Sequence, residues 1–328
     1  MVNEHGKKTI SNYELWGLLD ATSFAVARLR QRELAQLNLT IEQAALLKLI
    51  QITRNATTLR KIKDATLRQQ NTISITVNRM IKMGLVTKRR LPKKREFTLV
   101  CTQRGRDLLK KVPNNSLDTI FSGLAPNQKQ SLTHTLNFLN KKARGILVPD
   151  ITPFTRYDNK DPSETTEGGE EEGNMVSNYR LWTYLNTTRF TISRLRELEL
   201  ARFGTTVEQS SILKVLVDRG TPVRVKDLEN ATLRQHHSIS TLINRMTGLG
   251  LVCIKRTPGK KSYQISISDS GRTLFGKLST AAVDVTFGAL SEKEKQKLAA
   301  CLHPLYATAR NLLGVSDMPA LVAVPPSE

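Results

Sequence analysis

The stretch from Ala65 to Val86, ATLRQQNTISITVNRMIKMGLV, returns from Ala231 to Val252 as ATLRQHHSISTLINRMTGLGLV with no insertion or deletion. Such a chain is built from two like modules. In the first copy, helical spacing puts Ile73, Val77, Met80 and Ile81 on one stripe and Asn71, Ser74, Ile75, Asn78 and Lys82 on the opposite one. Alternation of Ile73, Ile75 and Val77 with Ser74 and Thr76 would also fit a strand. The second copy decides for the helix: Ile75 becomes Thr241, whereas Ile73, Val77 and Met80 stay apolar as Ile239, Ile243 and Met246. One face packs, and the other is free to touch a partner.

The offset of 166 holds along the chain. It carries Ser11-Asn12-Tyr13 onto Ser177-Asn178-Tyr179, Leu15-Trp16 onto Leu181-Trp182, Thr40 to Gln43 onto Thr206 to Gln209, and Gly105-Arg106 onto Gly271-Arg272. The expected organisation is a first module over 1–144, a flexible linker over 145–176, a second module over 177–313 and a loose tail over 314–328. Within a module, residues 12–36 read as a long first helix. Thr40 caps a second helix through Ile52, with Glu42 and Gln43 in its first turn. A short third helix near Thr58 to Thr66, matched by Arg224 to Thr232, precedes the repeated stretch by one turn. After Gly84 the periodicity switches to two, clearest in Tyr263, Ile265 and Ile267, which predicts a β-hairpin. Two helices complete the module. The first opens at Thr102 or Ser268, the second at Ala125-Pro126 or at Ser291, where Ser291 and Glu294 form a capping box. The fold class is therefore mainly α with small β-hairpins.

Net charge is +21, and the linker conceals part of the basicity. Residues 150–174 hold eight acidic and two basic side chains, residues 1–149 hold 27 basic and 9 acidic, and residues 175–328 hold 21 and 12. Such a folded basic chain fits a polyanion, nucleic acid first. Six of the eight residues from Lys88 to Arg95 are basic, at the predicted hairpin, and the copy carries Lys255, Arg256, Lys260 and Lys261.

Short helix, turn, longer helix and basic hairpin make the order of a winged helix-turn-helix. The longer helix has the width to enter a DNA major groove, where Ser74, Asn78 and Arg79 can meet base edges or phosphates. The basic hairpin can follow the backbone or enter the minor groove. The segments RLRQRELAQLNLT before IEQ, SITVNRMIKMGLV, the basic wing and LVCTQRGRDLL resemble the MarR family of transcription regulators. Their copies, RLRELELARFGTTVEQ, SISTLINRMTGLGLV and ISISDSGRTLF, resemble it too, so the likeness spans all but linker and tail.

That resemblance implies a dimer formed by first and last helices, here as two repeats in one chain, with tandem winged helix-turn-helix modules arranged as a pseudo-dimer. It makes Ser74, Ile75, Asn78 and Arg79, with Ser240, Thr241, Asn244 and Arg245, the groove-facing set, and Lys94, Arg95, Lys260 and Lys261 the wing contacts. Where the family commonly has an Asp before the wing arginines, this chain has Lys93 and Gly259. Gln70, Asn71, Lys93, His236 and His237 are further DNA-binding candidates, and because Gln70-Asn71 stands opposite His236-His237 in the repeat, the halves are not equivalent. The expected function is a cytoplasmic regulator, a repressor, binding an imperfect palindrome in double-stranded DNA and released by a small apolar or anionic effector. A ligand-independent architectural or scaffold protein is the alternative.

No nucleophile motif, phosphate-binding Gly loop or paired-carboxylate setting points to an enzyme. His5, His134, His236, His237 and His303 lack metal-ligand spacing, and no cofactor is expected. Cys101, Cys253 and Cys301 form no disulfide framework, and Cys101 takes an inward hairpin position. Trp16 and Trp182 read as core residues.

Overall fold

The computed structural model describes residues 10–53, 57–90, 97–148, 176–256 and 263–315. They are mostly helical, with two small antiparallel sheets. The first repeat runs α1 (Asn12–Ala35), α2 (Ile41–Ile52), α3 (Leu59–Thr66), α4 (Gln70–Lys82), β1 (Val86–Arg90), β2 (Phe97–Cys101), α5 (Gln103–Lys110), α6 (Asn115–Phe121) and α7 (Pro126–Leu147). The second runs α8 (Asn178–Ala201), α9 (Val207–Arg219), β3 (Val223–Arg224), α10 (Val225–Thr232), α11 (His236–Gly248), β4 (Val252–Arg256), β5 (Tyr263–Ile267), α12 (Asp269–Lys277), α13 (Ala281–Phe287) and α14 (Glu292–Leu313).

Local chemistry sets most boundaries. Thr40 and Thr206 each accept from the backbone N–H three residues on, while Gln43 and Gln209 close the box on α2 and α9. Glu42, expected in that first turn, is there, but the reciprocal bond belongs to Gln43. Gly84 and Gly250 take φ of 70° and 67° after α4 and α11, a turn that a Cβ would strain. Each is then tied down by the residue that caps the helix after the hairpin. Thr102 Oγ1 donates to the Gly84 carbonyl at 2.7 Å and accepts from Gly105 N–H; Ser268 does the same for Gly250 and Gly271.

The hairpin register runs from Val86↔Cys101 to Arg90↔Phe97 and from Val252↔Ile267 to Arg256↔Tyr263. Its tips, residues 91–96 and 257–262, lie outside the described residues. In the second sheet β3 adds an edge to β5, giving the order β3-β5-β4, where the first repeat has a single Thr57↔Leu99 bridge.

Several features depart from the sequence reading. The expectation of two helices after the hairpin is corrected to three, because α6 and α13 intervene. Neither has a side-chain cap of its own. Instead Glu33, from α1, accepts from Ser116 N–H and Oγ at 2.6 and 2.8 Å, and Glu199, from α8, accepts from Ala282 N–H and Ser279 Oγ. A cap supplied from 83 residues away leaves no local signal. The strand β3, two residues long, carries no periodicity to read. In addition α7 runs to Leu147, into the segment read as linker; residues 149–175 lie outside the described residues.

Contacts divide the chain into two compact units. The smaller takes in the described residues of Val26–Ser122 and Val148–Thr183; the larger takes in those up to Ala25, Gly123–Leu147 and those from Tyr184. The smaller has a core of Leu47, Ile50, Ile62, Ile73, Val77, Met80 and Leu99, to which α2, α3, α4 and β2 contribute. The larger has the matching core of Leu213, Leu216, Leu228, Ile239, Ile243, Met246 and Ile265. Each unit also holds a helix start from the other repeat. In the smaller, Asn178 Nδ2 donates to Asp118 Oδ1 at 2.9 Å and Lys48 lies over the Tyr179 ring; in the larger, Asn12 Nδ2 donates to Asp284 Oδ1 at 3.0 Å. Trp16 and Trp182 are buried, as expected of core residues.

Candidate nucleic-acid interface

Burying Ile73, Val77 and Met80 turns the opposite face of α4 outward. Gln70, Asn71, Asn78 and Arg79 are exposed, Ser74 is half-buried, and Ile75 is 56% exposed. On α11, Ile239, Ile243 and Met246 are buried, His236, His237, Thr241, Asn244 and Arg245 are exposed, and Ser240 is half-buried. Neither helix has an acidic residue in its first turn, which leaves its N-terminal dipole uncompensated by the helix itself.

The flanking parts are fixed independently in each unit. Arg68, just before α4, pairs with Glu42 of α2, and Arg234, just before α11, pairs with Glu208 of α9 at 3.5 Å. These two arginines are thereby committed to the scaffold. Strand β1 presents exposed Lys88, Arg89 and Arg90, and Lys88 Nζ donates to Asn78 Oδ1 at 3.3 Å, joining strand to helix. Strand β4 presents exposed Lys255 and Arg256. Lys93, Lys94, Arg95, Lys260 and Lys261 lie outside the described residues.

The two faces differ in their electrostatics. In the first repeat α3 exposes Arg60, Lys61 and Lys63; the matching positions of α10 are Lys226, Asp227 and Glu229. Glu229 Oε1 lies 2.6 Å from His236 Nδ1, and Ser240 Oγ lies 3.4 Å from His236 Nε2, so the start of α11 is a hydrogen-bonded polar cluster. Arg60, Lys61 and Lys63 are absent from the candidates that the sequence supplies. Their signal is the cationic spacing of RKIK, legible once α3 is known to bury only Ile62.

Beneath the end of α4, within the smaller unit, lies an open cleft of about 620 Å³ lined by Leu37, Asn38, Met83, Leu85, Arg104, Asp107, Leu108 and Lys111. In the second repeat the bulkier Phe203 stands for Leu37, and the uncharged Ser270 and Thr273 stand for Arg104 and Asp107. Cys101 is buried, and burial pushes its thiol pKa up, away from a reactive thiolate. Among the described residues no group of His, Cys, Asp and Glu is arranged to hold a metal ion, and no helix is long and apolar enough to cross a membrane.

No family model matches the chain, and no curated protein matches it. Among solved structures, the chain is similar to a MarR-family transcriptional regulator from Rhodococcus sp. RHA1, at 16% identity and a TM-score of 0.37 over 40% of this chain and 96% of that one. It is also similar to an organohalide-sensing transcriptional regulator in its 2,4-dichlorophenol-bound and ligand-free forms. These matches have 20% and 19% identity and a TM-score of 0.40, over 52% of this chain and 96% of each.

Proposed function

We propose that the chain is a sequence-specific double-stranded DNA-binding transcription regulator, acting as a repressor, in which two winged helix-turn-helix modules pair inside one chain. The module boundaries are those expected from sequence, 1–144 and 177–313. The observation that carries the reading is the repeated face itself. Both α4 and α11 bury an apolar stripe and expose an Asn-Arg pair, Asn78-Arg79 and Asn244-Arg245, next to a strand of exposed cations.

Each part has a physical task. Arg79 and Arg245 can form bidentate bonds to guanine or hold phosphates, and Asn78 and Asn244 can pair with adenine. The cations of β1, β4 and the wings neutralise phosphates and supply most of the salt-sensitive affinity. Two such faces read an imperfect palindrome with half-sites about one helical turn apart. An effector seated in the cleft beside Met83 would bear on the end of α4 and so on DNA release.

Genome-wide DNA selection with purified protein at about 150 mM salt tests the reading, together with the mass of the bound complex. One chain on one imperfect palindrome, preferred over bulk DNA about a thousandfold or more, is the expected result. Uniform coverage would replace the regulator with an architectural protein.

A further inference from the structure

The larger unit brings the start of α1 and α7, from the first repeat, against α8 and α14, from the second. Polar contacts from the middle of α8 cross to the first repeat. Arg189 Nε donates to Asp20 Oδ1 at 2.7 Å, Thr188 Oγ1 donates to the Leu136 carbonyl at 2.9 Å, and Thr191 Oγ1 reaches Asn140 Oδ1 at 2.7 Å. The offset of 166 assigns each participant a counterpart in the same unit, and the counterparts do not repeat the chemistry. Asp20 and Arg189 correspond to Asn186 and Ser23, Thr191 and Asn140 to Ala25 and Tyr306, and Leu136 to Leu302. Ser23 has a buried hydroxyl without a hydrogen-bond partner among the described residues, Ala25 and Tyr306 are fully buried, and Thr22, the counterpart of Thr188, donates to its own helix at Leu18.

One side of this pairing is thus joined by an ion pair and hydrogen bonds, and the other has the uncharged Asn186, Ser23, Ala25 and Tyr306 in their places, with Tyr306 bonded to Arg310 of its own helix. We infer that the two repeats are complementary to each other and mismatched to copies of themselves, so that the partner each repeat accepts is the unlike repeat, whether from its own chain or from a second copy. Two first-type faces would set Asp20 against Ser23 twice, without a cation, and Ala25 against Asn140. Two second-type faces would set Arg189 against Asn186 twice, without the hydrogen-bonded carboxylate of Asp20, and force Thr191 onto Tyr306. Both mismatches act against self-pairing as repulsive or unsatisfied elements. The like-for-like bonds Asn12–Asp284 and Asn178–Asp118, present in both copies, hold the helices without distinguishing partners.

This inference deepens the internal pairing proposed above, and its test uses no DNA, so its failure leaves the DNA-binding reading standing. Full-length Asp20→Arg and full-length Arg189→Asp chains are unfolded and refolded separately and together, and masses are read by native mass spectrometry. In the mixture, exchange of repeats between chains sets the guanidinium introduced at position 20 of one chain against the carboxylate introduced at position 189 of the other. The same exchange sets the native Asp20 against the native Arg189. A two-chain complex containing one of each variant is expected, at least about tenfold above its level in either variant alone. The double variant D20R/R189D should return to a single chain. Where the single variants fail to refold alone, refolding of the mixture is the expected rescue. A mixture that behaves as its components do, or two-chain complexes of one variant at the same level, overturns the inference.

Discussion

Arg196 of α8 donates from Nη1 to the carbonyl oxygen of Ser279 at 2.6 Å, and the same bond in the first repeat joins Arg30 of α1 to the carbonyl of Pro113. Both arginines are almost fully buried, and each also pairs with a glutamate one turn on, Glu199 or Glu33. The pair ties a long helix to the start of the short helix that the sequence hides. Arg196→Ala leaves Glu199 buried without its cation and should cost about 3–5 kcal/mol, read as a lowered midpoint in denaturant. Arg196→Ala with Glu199→Ala should cost less than the two singles added together. Additive losses would show that the pair does not act as a unit.

Gly105 and Gly271 have no room for a methyl group. A Cβ at Gly105 would run into the Leu85 carbonyl and lie 2.9 Å from Cys101 Sγ; at Gly271 it would run into the Leu251 carbonyl. Gly105→Ala and Gly271→Ala should each destabilise by about 1–3 kcal/mol. Gly145→Ala, inside α7 with no atom of the described residues near its Cβ, should be neutral or stabilise by up to about 1 kcal/mol. Thermal midpoints of the three variants separate crowding from a general intolerance of substitution.

How far the sequence reaches follows from where each signal lies. Ile73, Val77 and Met80 announce α4 because its packing is written in one helix's own spacing, and Thr40, Thr102 and Ser291 announce theirs because a cap is local. Glu33 capping Ser116 is beyond such reading, since neither residue predicts the other. The same holds for Asp20 and Arg189, which look like solvated charges on separate helices until the fold brings them to 2.7 Å. At the outward face, Asn78 and Arg79 are legible from the repeat, whereas the cations of α3 require knowing which face of α3 is buried.

The first wing carries more charge than the second. Replacing Lys93, Lys94 and Arg95 with Ala should flatten the plot of log affinity against log salt by about 0.9 per lost phosphate contact. Replacing Lys260 and Lys261 should flatten it less. Equal slopes from the two variants would show that the wings contribute equally to phosphate binding despite their difference in charge.

Ile75 exposes a branched aliphatic side chain in the middle of an otherwise polar face, and Thr241 stands in its place on α11. An apolar group there suits a thymine methyl in the major groove. Ile75→Thr should make the selected half-sites more alike, with a change of about 1–3 kcal/mol in discrimination at one base pair. An unchanged motif would remove Ile75 from base reading.

Hydrogen bonds from Ser291, through both its hydroxyl and its N–H, hold the Glu294 carboxyl below its ordinary pKa of 4.5. A depressed carboxylate stabilises the fold above its unfolded pKa and loses that contribution as pH falls through the folded value. Ser291→Ala should therefore cost about 0.5–2 kcal/mol near neutrality, and the gap from the parent should narrow in acid. Denaturation midpoints at a series of pH values check the sign; a gap that widens in acid would contradict it.

The joint between α3 and α4, and between α10 and α11, is closed in each repeat by a leucine at φ 55°, Leu67 and Leu233. A left-handed leucine costs about 1–2 kcal/mol of backbone energy, and Leu233 is nonetheless buried there. Glycine would relax the backbone, and asparagine or aspartate would tolerate it better than leucine, but each would give up the apolar side chain that Leu233 buries there. ATLRQ is the same at both joints, whereas the outward Gln70, Asn71 and Ile75 that follow the first are His236, His237 and Thr241 after the second. The two copies thus keep one joint and vary on the surface beyond it.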